Sequence, residues 1–452
     1  MTTTTIKRRS QYKNETATRL VAFDGDRLLR QIGVAVVTGA LTLSMIPTAA
    51  LAENSSASST NTGSTTSSAQ PQAPSGDSQG SSTPPAPPSD DSKGTAPNAQ
   101  GQPPSGQTQP PSGSMSQGQP PAGSMGGANT QSFDYTGSYT GALTADGEEV
   151  RSDGNSVSAT ESDQNALLAK GGGTLVVTGA SVDKSGDDNN GDNCNFYGLN
   201  SIALSVGNGS LLKISNSKLS ATSEGSNGVF STDSATAYVR DSSITTSAGN
   251  SRGLDATYGG TILADTLDIS TQGDHSAGIA TDRGGGNISL TNSTIKTAGS
   301  GSPLLYSTGD IELNNVTGSS SGSQIAGMEG LNTILINNST LESTQSGKTA
   351  SDPIADGIII YQSTSGDAET ATGKTATFQA VGSTLKSAIT SGSMFYFTNT
   401  KADVVLKNTT LDFDSTAANL ILAAGNSSNN WGSAGSNGAA VSFTGISQTL
   451  SG

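Results

Sequence analysis

The sequence predicts an all-β solenoid of short strands, and two observations carry that reading. A pattern of alternating apolar residues, an Asn and one further apolar anchor recurs through the C-terminal two-thirds of the chain, as in Asn287-Ile288-Ser289-Leu290-Thr291-Asn292-Ser293-Thr294-Ile295. No 3.6-residue periodicity interrupts it, and glycine or small polar residues punctuate each copy. Repeats of this length with two or three short strands apiece make a single-stranded parallel β-helix of about ten coils.

Aligned on the last apolar residue, the copies end at Val182, Leu219, Ile244, Leu267, Ile295, Leu341, Leu385 and Leu411, with a degenerate copy at Gly318 and a final one near Gln448. The intervals are 37, 25, 23, 28, 23, 23, 44, 26 and 37 residues, so a basic coil is lengthened in places by insertions. Two more apolar columns lie five and seven residues before the anchors, running from Val177 and Leu175 to Phe443 and Val441. A second short strand belongs to each unit, from Ala166 to Ala169 in the first to Leu420 to Ala423 in the last.

Asn216, Asp241, Asn292, Asn338 and Asn408 stand three residues before their anchors, and Gly179, Gly382 and Gly445 fill the same slot. These residue types accept left-handed backbone geometry, and Asn side chains can bond one another up a stack. The few aliphatic side chains of one coil cannot offset the entropy of ordering it, so the coils must stack. At about 4.8 Å per rung, ten rungs give a rod of roughly 50 Å.

Residues 1–52 read as an export signal: seven basic residues precede the apolar run from Ile32 to Ile46, followed by Pro47 and the small-residue site Ala50-Leu51-Ala52. Arg8-Arg9 lies too far upstream of that run for a twin-arginine signal, and the run is too short to favour a membrane span. Cleavage would take seven basic and three acidic residues, moving the net charge from −15 to near −19. Such an acidic chain is not expected to bind nucleic acid or an anionic membrane surface. Residues 53–130 are rich in Ser, Pro, Gly and Gln and read as a disordered linker spanning about 50 Å on average. Residues 131–165 are expected to cap the open end of a stack formed by 166–452, and the stop at Ser451-Gly452 directly after a strand suggests a truncated product.

Insertions in a solenoid collect at corners, where contact sites are sought. They fall at Asp183 to Asn200, Ser343 to Asp356, Gln362 to Lys374 and Gly425 to Asn437. Asp183, Asp187, Asp188, Asn190 and Asp192 have the alternating oxygens of a calcium loop, but the glycine is misplaced and no closing glutamate follows; an acidic solvated turn is the plainer expectation, with calcium as the one possible cofactor. Trp431 is a candidate for stacking on a sugar ring, with Tyr258, Tyr306 and Tyr396 extending such a surface, although a lone Trp more often packs its own loop. His275 has no second histidine, and the single Cys194 excludes an intrachain disulfide.

Units such as Ser251-Arg252-Gly253-Leu254-Asp255-Ala256-Thr257-Tyr258-Gly259-Gly260 and Ser276-Ala277-Gly278-Ile279-Ala280-Thr281 resemble the secreted right-handed parallel β-helix (pectin-lyase-like) superfamily, in particular its adhesin-like and autotransporter-passenger-like repeats. The resemblance covers roughly Ala166 to Gly445 and implies a right-handed coil. Enzymes of that superfamily act on acidic polysaccharides. The polygalacturonase-type set is missing here, since Asn399-Thr400 is followed by Lys401 and His275 is not flanked by two glycines. Around Asp255 and Asp282-Arg283 no carboxylate column is expected. The expected function is therefore adhesion or binding, without catalysis, by a secreted or cell-envelope protein whose partner is an extracellular polysaccharide or a surface protein. A polysaccharide lyase or glycoside hydrolase is the alternative, and a structural display rod the third.

Overall fold

The computed structural model describes residues 131–362, 375–425, 439–447 and 449–451; the expected export signal, the linker and Trp431 lie outside them. Period-two alternation broken by Gly, Asn and Ser leaves no stripe for a helix to bury, and Asn193–Tyr197 is the only helix among the described residues. Sheet A has eleven parallel strands, beginning Thr140–Asp146, Gln164–Lys170, Ala203–Val206 and ending Ser393–Thr398, Asn419–Ala424. From each of them the chain passes to a second parallel ladder, B, and a third, C. Thr236–Thr246 and Thr261–Thr271 run unbroken through both and join B to C.

This is the layout of a parallel β-helix, and the described residues make eleven rungs of it, where the repeats suggested about ten. The additional rung consists of Thr140–Asp146, Glu149–Asp153 and Ser156–Ala159, within the segment expected to be a cap; its strands pair in register with rung 2. The expected columns fill the interior. Ile288, Leu290 and Ile295 of rung 6 are at most 2 % exposed, and the rungs from 2 to 10 repeat the arrangement, except that rung 7 holds Gly318 in place of the anchor.

Two rungs depart from the expected register, each by two residues. In rung 5 the residue stacked on Ile244 is Ile269, not Leu267, while Ala264 lies over Val239 and Ile262 over Ala237. In rung 11 Leu450 lies over Leu411, with Gly445 over Leu406 and Phe443 over Val404. The cause is the turn residue. At the corner between B and C one residue per rung has positive φ: Gly154, Gly179, Asn216, Asp241, Thr266, Asn292, Asn315, Asn338, Gly382, Asn408 and Ser447. In rungs 5 and 11 that position is held by Thr266 (φ 57°) and Ser447 (φ 53°), residue types that do not announce a left-handed turn.

The corner between B and C solves a hydrogen-bonding problem. A left-handed residue turns the next N–H out of the ladder, and a hydroxyl one rung on accepts it. Ser217 N donates to Ser242 Oγ (3.0 Å), Leu267 N to Ser293 Oγ (2.9 Å), Val316 N to Ser339 Oγ (3.0 Å) and Ser339 N to Ser383 Oγ (3.1 Å). Each hydroxyl then donates to the carbonyl two residues back, as Ser242 does to Arg240 (2.7 Å) and Ser293 to Thr291 (2.6 Å). Beside them Asn315 Nδ2 donates to Asn292 Oδ1 (2.7 Å), and Asn292 Nδ2 to Asp265 Oδ1 (3.0 Å). The Asn-Ser dipeptide is thus a single device: Asn makes the turn and Ser repairs the ladder.

At the corner between C and A, glycine and anchor are matched within a rung. A Cβ on Gly228, Gly253 or Gly278 would come within 2.3–2.5 Å of Cγ2 of Ile244, Ile269 or Ile295 respectively. Rung 7 exchanges the two roles. Leu304 stands where the earlier rungs have glycine, the anchor slot holds Gly318, and a Cβ there would meet Leu304 Cδ1 at 2.8 Å. The degenerate copy seen in the sequence is therefore a filled position, supplied from across the coil.

Candidate functional site

Successive strands of sheet A align Leu168, Leu204, Phe230, Asp255, Ala280, Tyr306, Gly327, Ile359, Tyr396 and Leu422 in one outward column. Such a column would normally face water, yet most of it is buried. Phe133 and Tyr139 pack on Leu168, Leu204, Val206 and Phe230. The insertion carrying Asn193–Tyr197 lies alongside, with Tyr197 stacked on Tyr258 (5.5 Å between centroids, 4° between planes) and Phe133 edge-on to both rings. Thr257 Oγ1 donates to Phe196 O (2.8 Å), and the Arg283 guanidinium lies 3.8 Å above the Phe196 ring.

At the centre of this layer sits an ion cluster that the sequence reading missed. Arg252 donates to Asp255 Oδ2 (2.7 Å) and to Asp282 Oδ2 (3.0 Å), bridging rungs 5 and 6. The Asp255 side chain has no exposed surface and that of Arg252 only 11 %. The neighbours of Asp255 in its column are Phe230 and Ala280, as the repeat implied. Asp282 reaches it through Arg252, three residues before Asp255 and just outside the strand. The motif Arg-x-x-Asp at a coil corner was the available signal. Burial pushes the Asp255 carboxyl up to about 7, with the shared Arg252 opposing and Asp282 adding to the rise. The same carboxylates hold Arg252 firmly protonated. Two guanidinium groups and two carboxylates under an aromatic lid form a clamp between the insertion and the rod, and at Asp255 the lid leaves no opening to a polymer.

The residues proposed for calcium occupy the same insertion but point to separate partners. Asp183 accepts from Ser181 Oγ (3.5 Å) and from Ser220 Oγ, Asp187 from Glu224 N (3.0 Å), and Asp188 from Asn190 N (3.2 Å). Asp192 is the N-cap residue of Asn193–Tyr197 without a capping side-chain bond, and Asn190 is exposed. Among the described residues no three His, Cys, Asp or Glu side chains converge to hold a metal ion. Burial, with Asp163 adding, raises Asp188 to about 6. Lys184 is the other unforeseen member of this corner. Stacked between Ala159 and Ala221 in an inward column, it is 1 % exposed and donates from Nζ to Glu161 O (3.1 Å) and Gly186 O. Burial lowers it to about 8 against the pull of Asp187 and Asp163.

The three tyrosines expected to extend a sugar-stacking surface do not form one. Tyr258 and Tyr396 are 7 % and 3 % exposed, because the covering segments and Ile359 enclose their rings. Tyr306 is half-buried and donates to Glu329 Oε2 (3.0 Å), which also accepts from Tyr361 (3.0 Å).

Open surface lies elsewhere. A shallow groove of about 870 Å³ follows the B–C corner past Lys218, Asp241, Asp268, Asn292, Thr294 and Lys296. A second, of about 520 Å³, follows the A–B corner over Gly284, Gly285, Gly286 and Gly309 beside Asn287 and Asp310.

The raised carboxyls fix the sign of one pH effect. Asp188, Asp255 and Asp352 titrate near 6, 7 and 7 in the folded chain against 3.8 for the ordinary side chain, so between about pH 4 and 7 the folded state binds more protons than the unfolded one. Their contribution is complete below 3.8 and is lost as pH rises through 6 to 7. Lys184 changes stability only above about 8, with the opposite slope. The melting temperature is expected to be higher at pH 5 than at pH 8 by several degrees, read by circular dichroism in one buffer series. A flat or inverted profile would contradict the burial of these groups.

No known protein family, curated protein or solved structure matches the chain.

Proposed function

We propose that this is an exported surface or secreted β-helix protein, right-handed and of pectin-lyase-like type, that binds an extracellular glycan or a surface protein without catalysis. The observation that carries the reading is the outer face of sheet C. There Thr294, Thr317, Thr340, Thr384 and Thr410 stack in register on successive rungs, and Lys296, Glu342 and Lys386 belong to a parallel column two residues on. Hydroxyls and charges fixed on a rigid sheet at about 4.8 Å intervals lose little freedom on binding, and they match a polymer whose own polar groups repeat. The groove at the B–C corner continues this face.

The test is binding of the purified protein to glycan arrays, matrix proteins and whole cells. Substitution of Lys296 and Lys386 by Glu is expected to abolish retention while leaving the circular dichroism spectrum unchanged. Retention of the double variant on the same ligands would remove the basis for this face. Release of unsaturated or reducing sugar ends from acidic polysaccharides would instead favour the lyase or hydrolase alternative.

A further inference from the structure

The insertion before rung 9 buries two carboxyl groups that no cation among the described residues neutralises by contact. Asp356 opens the sheet A strand Asp356–Tyr361 and is 5 % exposed, yet neither of its carboxylate oxygens has a hydrogen-bond partner. Asp352 is 7 % exposed, and one oxygen accepts from Gln324 Nε2 (3.0 Å). The pairing of Ala326 with Ile358 places Gln324 of rung 8 beneath Asp356 of rung 9, and Ser393 lies above it in rung 10. Thr349 fixes the loop, since its Oγ1 accepts from Gly301 N (3.0 Å) and donates to Gly322 O (2.8 Å), while Asp352 N closes a turn on Thr349 O (3.0 Å). Among the described residues no salt bridge reaches either carboxylate; Lys348 acts on Asp352 only at a distance.

An isolated buried carboxylate costs several kcal/mol, so this pair must take up a proton or a cation. The oxygen inventory favours a large hard cation. Two carboxylates offer four oxygens, and a half-turn of the Gln324 amide would direct Oε1 at them while Nε2 would become the donor to Ser323 Oγ, which now donates to Oε1 (2.5 Å). Calcium takes six to eight oxygens in flexible geometry, part of them from water, whereas magnesium demands a tighter octahedron. We infer that Asp352, Asp356 and Gln324 form a calcium site that fastens the insertion across the corner between sheets C and A. Burial also raises both carboxyls, so calcium competes with a proton there.

The full chain, stripped with EDTA, is titrated with CaCl2 while its melting temperature is followed. Calcium is expected to raise the midpoint, magnesium at the same concentration to leave it unchanged. Asp356→Asn is expected to abolish the calcium shift, and Asp188→Asn, in the acidic insertion near the other end, to retain it. Should Asp356→Asn fail to fold, terbium luminescence of the unmodified chain provides a second readout: emission sensitised by Tyr361 and Tyr306, whose hydroxyls share Glu329, displaced by calcium and weakened in Tyr361→Phe. Absence of both the calcium shift and sensitised emission would overturn the assignment and leave a protonated carboxyl pair. A shift that survives Asp356→Asn but disappears in Asp188→Asn would overturn it too, moving the ion to the other insertion.

Discussion

Replacing Arg252 with methionine is expected to destabilise the protein by about 3–5 kcal/mol, the largest effect of any single polar substitution in the layer over sheet A. Methionine keeps much of the aliphatic body but leaves Asp255 without its partner in a place with no exposed surface, and takes from Asp282 the bond that ties rung 6 to rung 5. Asp255→Asn should cost much less, because Arg252 keeps Asp282 and the neutral amide needs no counter-charge. Urea denaturation of the two variants against the parent chain measures both values. A loss below about 1 kcal/mol for Arg252→Met would mean that the cluster is solvated and that the lid does not close over it.

The second large effect is a coupling. Ile295→Ala, which empties an anchor slot in the middle of the stack, is expected to cost about 2–5 kcal/mol. Gly278→Leu alone forces a side chain into a site where a Cβ already stands 2.3 Å from Ile295 Cγ2, and should cost about 1–3 kcal/mol or more. Combined, they bring rung 6 toward the arrangement that Leu304 and Gly318 have in rung 7, short of it by the one Cβ that alanine keeps and glycine lacks. The double variant should therefore be less destabilised than the sum of the singles by a margin well outside additivity, about 1 kcal/mol or more. Simple additivity in a double-mutant cycle would show that the two positions do not share one space.

The rungs were legible because stacking forces the same few side chains inward at each turn, which writes a periodic signal into the chain. Left-handed corners at Asn216, Asn292 and Asn338 were legible for the same reason, since few residue types accept that geometry. Thr266 and Ser447 carry no such mark, and the flanking alternation Leu263-Ala264-Asp265-Thr266-Leu267-Asp268-Ile269 reads equally well in two registers, so the anchor there was misplaced by two. The Arg252 cluster was opaque for a different reason. It depends on which insertion folds back over which rung, and no repeat encodes that. Lys184 was hidden in plain view: alternation from Val182 points it inward, but its two neighbouring corner carbonyls are visible only in three dimensions.

The exchange between Leu304 and Gly318 bears on how such a chain can change length. The bulky and the empty member of each pair lie fewer than twenty residues apart in the same coil, and so travel together whenever a coil is copied or deleted. A duplicated turn brings its own complement and needs nothing from the turns on either side beyond their backbone edges. Partial copies, by contrast, would separate a leucine from its matching glycine. Gain and loss in whole turns is then the route open to homologous chains, and their lengths should differ by steps of one coil while the corner insertions vary freely.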